Sequence, residues 1–158
     1  MDETPPEIVL TEDHERIDAL WEEYLEVRQT KPSLAKEAFS AYRSALENHM
    51  RCEEEHVFPA VERNPIEKAA QEVPTLIEEH VTIREHLSEV FGLCTSPGLD
   101  LTQCERHLFE VLHEHNAREE MAVYPDIDRL LDPKQIALVR NRLQQTKKRS
   151  VSVEGAEI

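Results

Sequence analysis

Glycine is scarce, with three in 158 residues, and long stretches carry no turn signal. With so much charge, that scarcity points to an all-helical protein. Long apolar runs are also missing. No stretch of about 18 apolar residues exists, which excludes a helix crossing a membrane. The opening "MDETPPEIVL" lacks a basic region followed by an apolar one. No secretory signal is expected, and the cytoplasm is the default location. Cysteine is limited to Cys52, Cys94 and Cys104, at spacings that match no zinc motif, so reduced thiols are expected. Cys52 lies beside a repeated motif and alone has a redox alternative. Positive charge is in short supply: 18 Lys and Arg stand against 33 Asp and Glu, a net charge of −15. Such a chain repels nucleic acid and anionic membranes and suits a cation, although most acidic bundles are simply soluble.

What is present is helical periodicity. The length suits one domain, taken as residues 1–150, with a flexible tail at 151–158. After a lead-in strap with Pro5 and Pro6, Thr11 is a good cap for a first helix through Ile17, Leu20, Tyr24 and Val27. "TKPS" breaks it, and Ser33 can cap a second helix to about Arg63, kinked or ended near Pro59. Pro74 fits the first position of a third helix to about Phe91. "GLCTSPGLD" is a turn, and Thr102 with Glu105 forms a capping box for a fourth helix to about Leu131. Asp132-Pro133 opens a shorter fifth helix to about Lys147. The expectation is an all-α, antiparallel up-down four-helix bundle with a short C-terminal fifth helix.

The chain also repeats itself. "HMRCEEEHVFPA" at 49–60 returns as "HNAREEMAVYPD" at 115–126. At the same offset "LTEDHERID" at 10–18 meets "LIEEHVTIR" at 76–84, aligning Asp13 with Glu79 and His14 with His80. Helices one and two therefore form a hairpin that helices three and four duplicate. Packed about a pseudo-two-fold axis, the duplication brings His14, His49, His80 and His115 to one midplane with Glu53 and Glu119.

His49 and Glu53 are one turn apart on one helix face, as are His115 and Glu119. Leu46, Met50 and Val57, and Leu112 and Val123, share those faces, so the polar pairs sit in apolar stripes. Buried carboxylates without partners are costly, and two facing each other repel. A pair of cations removes both problems. Four imidazoles and two carboxylates suit iron, manganese or zinc. A lone histidine on an apolar face is usually a core histidine with a satisfied hydrogen bond; four in register, two followed by a glutamate, are hard to explain so. His56 imitates a Glu-x-x-His motif, but its repeat position is Ala122, which places it outside the ligand set. His86, His107 and His113 read as solvated. Glu54 and Glu120 point about 100° away from their neighbouring glutamates and are either acceptors behind the ligands or surface charge.

The order His, His-x-x-x-Glu, His, His-x-x-x-Glu, with the trailing "VFP" and "VYP", resembles the hemerythrin-like, cation-binding bundles over about residues 8–131. The resemblance implies a non-haem centre of two iron ions with an oxo or hydroxo bridge. Its ligands would be His14, His49, Glu53, His80, His115 and Glu119, with Glu53 and Glu119 bridging. Oxygen carriers of the family have a further histidine where this chain has Arg84, and a terminal aspartate in the fourth-helix motif where it has Glu119. The ligand pattern is closer to bacterial iron-centre-repair and nitric-oxide-response members. Iron-sensing domains of ubiquitin ligases share the plan. The resemblance implies that O2, NO or peroxide is the partner, or that iron is supplied, with oxidoreductase-like chemistry and an unassigned redox partner. A closed structural metal module and a metal-free helical interaction protein are the alternatives. Arg84 is expected to form an ion pair behind the ligands, with Asp18 as the candidate partner.

Overall fold

The computed structural model describes residues 4–95 and 100–156, with side chains up to residue 145. Among these residues all regular structure is helical. Helix α1 spans Pro6–Thr30 and α2 spans Ala35–Cys52; α2 runs through a π-helical turn, Glu53–Val57, into the short α3, Phe58–Glu62. Then come α4 (Lys68–Leu93), α5 (Thr102–Ala122), α6 (Tyr124–Leu130) and α7 (Pro133–Ala156). Helices α1 and α2 pack as one hairpin and α4 and α5 as the other, while α7 lies against α1 and α2. This is the expected helical bundle with an added C-terminal helix.

Several helix ends differ from the sequence expectation, each for a local reason. Helix α1 begins at Pro6, and the Thr11 hydroxyl donates to the Glu7 carbonyl inside the helix instead of capping it. Proline is well tolerated at a first helical position, and the earlier start carries Leu10 into the core. Helix α4 begins at Lys68, so Pro74 lies inside it. The hydrogen bond that Pro74 forfeits is offset by burial of Ala69 and Val73. Ser33 sits in a 3-10 turn, Pro32–Leu34, and caps nothing by its side chain. Helix α5 lacks the Thr102–Glu105 capping box; Glu105 is buried and accepts from Arg28 at 2.8 Å. Asp132 does cap α7, and it forms a capping box with Gln135. The Gln135 N–H donates to Asp132 Oδ1, and the Asp132 N–H donates to Gln135 Oε1, both at 2.8 Å. Helix α7 continues past Lys147 to Ala156. Residues 96–99 of the expected turn after α4 lie outside the described residues.

Two apolar clusters fill the bundle. One holds Leu10, Val57, Phe58, Leu76, Val123 and Ile127; the other holds Ile17, Trp21, Phe39, Leu46, Ile83 and Leu112. On α1, α2 with its π turn, α4 and α5 the polar residues of interest fall between a member of one cluster and a member of the other. Leu10 and Ile17 flank His14, Leu76 and Ile83 flank His80, Leu46 and Val57 flank His49 and Glu53, and Leu112 and Val123 flank His115 and Glu119. A polar layer is thus sealed between two dry ones.

The "VFP" and "VYP" segments shape the floor of that layer. Pro59 and Pro125 have no N–H, so the carbonyls four residues earlier lose their usual donors. In the first half the Phe58 N–H bonds instead to the Glu53 carbonyl, five residues back. In the second half the helix ends at Val123, whose N–H bonds to the Glu119 carbonyl at 3.0 Å, and α6 restarts at Tyr124. Both breaks lie within one turn after a glutamate of the polar layer, and both leave the next aromatic ring buried. A π bulge like that of the first half recurs at functional sites.

Candidate metal centre

Helices α1 and α4 each bring one histidine to the polar layer; α2 with its π turn, and α5, each bring a histidine and a glutamate. His14, His49, Glu53, His80, His115 and Glu119 are all at most 4% exposed. Their donor atoms form two groups that share Glu119: His14, His49 and Glu119, and Glu53, His80, His115 and Glu119, with all atoms of a group within 4.8 Å of one another.

The two glutamates straddle the hairpins symmetrically. Glu53 Oε1 is 3.2 Å from His49 Nε2 on its own helix and 3.6 Å from His80 Nε2 on the other hairpin. Glu119 Oε1 is 3.1 Å from His115 Nε2 and 3.4 Å from His14 Nε2. The Nε2 atoms of His80 and His115 face each other at 3.1 Å.

Every imidazole is held from behind by a carboxylate at its other nitrogen. Asp13 meets His49 Nδ1 at 2.8 Å, and Glu79 meets His115 Nδ1 at 2.8 Å. These acceptors lie within a hairpin. Glu54 meets His80 Nδ1 at 2.7 Å and Glu120 meets His14 Nδ1 at 3.1 Å, and these reach across from one hairpin to the other. A neutral imidazole carries one proton. A carboxylate at Nδ1 draws it there, so the Nε2 lone pairs converge on the glutamates. This is how metal-binding histidines are oriented.

Arginines hold three of the four acceptors. Arg16 donates to Asp13 at 2.9 Å and Arg118 to Glu79 at 3.0 Å. Arg84 grips Glu54 through two nitrogens at 2.8 and 3.2 Å and also binds Glu47 at 3.0 Å. Arg84 does form an ion pair behind the buried histidines, but its partners are Glu54 and Glu47 and not Asp18. On a helix, Glu47 and Glu54 are seven apart and share a face, which the Arg84 side chain spans.

The electrostatics call for positive charge at the centre. Burial alone would lower the pKa of His49, yet Glu53 and Asp13 hold it well above the usual imidazole range. Burial also works against His115, and Glu119 with Glu79 pushes it up to about 10. His14 is raised likewise, against burial and the neighbouring His49, by Glu119 and Glu120. Glu53 is held well below the usual carboxylate range, against burial, chiefly by His49. Glu53 Oε1 and Glu119 Oε2 are buried and have no hydrogen-bond donor. Orphaned carboxylate oxygens facing convergent imidazole nitrogens fit a cation.

The family model "Hemerythrin HHE cation binding domain" matches residues 7–127. The chain belongs to this family. Hemerythrin domains bind metal ions, typically iron, and the buried His and Glu groups of this member fit such a site. No curated protein and no solved structure matches the chain.

Other candidates stand apart from this hemerythrin layer. His56 is 3.9 Å from Glu55 at the surface, and His86 is 3.7 Å from Glu89. Cys52 is fully buried, and burial with Glu53 nearby pushes its thiol up to about 12, which leaves it unreactive. The sequence reading passed over Asp13 and Glu79 as acceptors, although the repeat aligns them. Tyr124, which the repeat aligns with Phe58, gave no such signal in the sequence. The Tyr124 hydroxyl reaches into the centre, and burial with the charges of Glu119 and Glu53 holds its pKa well above that of a free phenol.

Proposed function

We propose that the chain holds two iron ions, one at His14 and His49 and one at His80 and His115, with Glu53 and Glu119 bridging them. In this reading it handles or senses a small oxidant or diatomic molecule, namely O2, NO or peroxide. The observation that carries it is the pseudo-two-fold set of four convergent Nε2 atoms and two straddling carboxylates. Two carboxylates, each placed between histidines of different hairpins, suit two cations better than one.

Iron held by such ligands supplies a change of oxidation state and affinity for small diatomic ligands. The chain's own residues do the rest. Asp13, Glu54, Glu79 and Glu120 fix the imidazole tautomers and raise the basicity of the ring nitrogens. The apolar clusters on either side keep bulk water out. Arg84 stands one turn after His80, where an oxygen carrier of the family has a histidine. A guanidinium donates and cannot ligate. One cation is thereby left short of an imidazole, which favours reaction over stable reversible O2 carriage.

The test is metal content and the ultraviolet–visible spectrum of protein purified with iron supplied. About two irons per chain are expected, with near-ultraviolet absorption in the oxidised form that azide or NO perturbs. One metal or none after loading overturns the two-iron reading. Two metals with a spectrum indifferent to azide and NO point to a closed, structural centre.

A further inference from the structure

The repeat aligns Phe58 with Tyr124, and the two positions differ by one oxygen atom. The Phe58 ring lies 5.5 Å from that of His80, and the Tyr124 ring 5.5 Å from that of His14, so they occupy matching places in the two halves. The extra oxygen lands among the donor atoms. Tyr124 Oη is 2.9 Å from Glu53 Oε2, 3.2 Å from His14 Nε2, 3.2 Å from His49 Nε2 and 3.3 Å from Glu119 Oε1.

A phenol has one proton to donate. Glu53, the closest of these neighbours, can take it. In the neutral rings that coordination requires, with the Nδ1 protons toward Glu120 and Asp13, the two Nε2 atoms present lone pairs as well. Four acceptors around one hydroxyl cannot all be satisfied by its proton. A cation can satisfy them, with the phenol oxygen as one more donor. The spacings agree. Ligand bonds of about 2.0–2.2 Å put neighbouring donors of one metal roughly 3 Å apart. An oxygen that only backed up a ligand would lie close to one donor atom, not to four.

We propose that Tyr124 is a seventh protein ligand, bound through its oxygen to the metal at His14 and His49. The Phe58 side has no counterpart, so the two metal positions are chemically different. The Tyr124 position is the harder one and favours the ferric state, while the His80–His115 position is left to take up an exogenous ligand. The phenol proton is released to solvent when the metal enters, because a cation at the oxygen stabilises the phenolate. This proposal rests on the two-metal reading, and the experiment separates the two.

Protein loaded with ferric iron is first analysed for metal, then examined by visible absorption and resonance Raman spectroscopy. Expected are two irons and a phenolate-to-iron charge-transfer band whose excitation enhances tyrosinate ring modes that shift with ring-deuterated tyrosine. Tyr124→Phe should lose the band and the modes while still binding iron. Tyr24 and Tyr42 cannot supply the signal, because both lie in the distal aromatic cluster with Trp21 and Phe39. Two bound irons without tyrosinate modes in the unaltered protein overturn the Tyr124 assignment and leave the two-iron reading standing. Modes that persist in Tyr124→Phe overturn it as well. Failure to bind iron at all removes both. Should Tyr124→Phe fail to fold, the spectrum of the unaltered chain still decides.

Discussion

The two hairpins build the same half-site with unequal surroundings. In both, a single histidine and a His-x-x-x-Glu pair converge, and each imidazole leans on a carboxylate. The differences lie around that frame. The Glu54 acceptor of His80 is gripped by Arg84, whereas the Glu120 acceptor of His14 has a side chain 40% exposed. An aromatic ring closes each half, but only the one at Tyr124 carries oxygen. Duplication thus supplies the geometry of the polar layer, and single substitutions on it give its two halves unequal surroundings. The residues that sit between both hairpins are the ones whose loss both positions should feel.

The largest effect is therefore expected at the glutamates. Glu53→Ala and Glu119→Ala each remove a carboxylate shared across the hairpins, so both variants should lose most of both metals and to a similar extent. Metal analysis after equal loading checks this. A large loss in one and none in the other would break the symmetry argument. Next comes removal of the metal itself. A cation at about a thousand times its dissociation constant adds roughly 4 kcal/mol to stability. For a chain of this size that is a melting shift of roughly 8–16 °C. Chelation should lower the melting temperature by such an amount, and readdition of iron should restore it.

Cation uptake should also expel protons. His49 is held well above the usual imidazole range and His115 at about 10, so in the metal-free protein these two hold their protons at neutral pH. Coordination needs the neutral ring. The sign follows: protons are released on binding, and affinity falls as the pH drops. Calorimetry of metal uptake in two buffers of different ionisation enthalpy reads the number released. A heat independent of the buffer would show that no proton is displaced.

The frame of the buried polar layer was legible in the sequence because it is written twice. His14, His49, Glu53, His80, His115 and Glu119 follow from register alone, and the helical class follows from periodicity and the scarcity of glycine. The helix ends were less legible. Thr11, Ser33 and Thr102 are good caps by type, yet the chain starts its helices where burial of Leu10 and Ala69 is gained, and tertiary packing outweighs a cap of about 1 kcal/mol. The partner of Arg84 was hidden for another reason. Asp18 is its repeat equivalent, but symmetry relates positions and does not say which side chains touch. Tyr124 was hidden by the repeat itself, since matching it with Phe58 drew attention to the ring they share and away from the hydroxyl.

Smaller effects are expected where the halves differ. Removing a carboxylate behind a ligand histidine typically weakens metal binding about 10–100-fold. Glu54→Ala should fall in that range at the His80–His115 position. Glu120→Ala should fall below it at the His14–His49 position, because Glu120 is more exposed and its contact, at 3.1 Å, is longer than the 2.7 Å of Glu54. Competition with a chelating dye, titrated over the two binding steps, gives both values. Equal losses would mean that the grip of Arg84 adds nothing to its half.

The smallest effect belongs to Arg84 itself. Its guanidinium touches no ligand; it acts by holding Glu54, and Glu54 holds His80. Two steps removed and partly exposed, it should change affinity only a few-fold when replaced by methionine, which keeps the apolar stem over Glu47 and Glu54 and drops the charge. The direction is toward weaker binding, since Glu54 freed from its clamp spends less time at His80 Nδ1. Arg84→His asks the sharper question. If the position can reach the centre, a histidine there adds a donor to the second position, shifts the spectrum and slows oxidation of the ferrous protein in air. Should it merely lose the Glu54 clamp, it will match Arg84→Met in affinity and leave the oxidation rate as it was. In that case the reactivity of this centre cannot be traced to the missing imidazole.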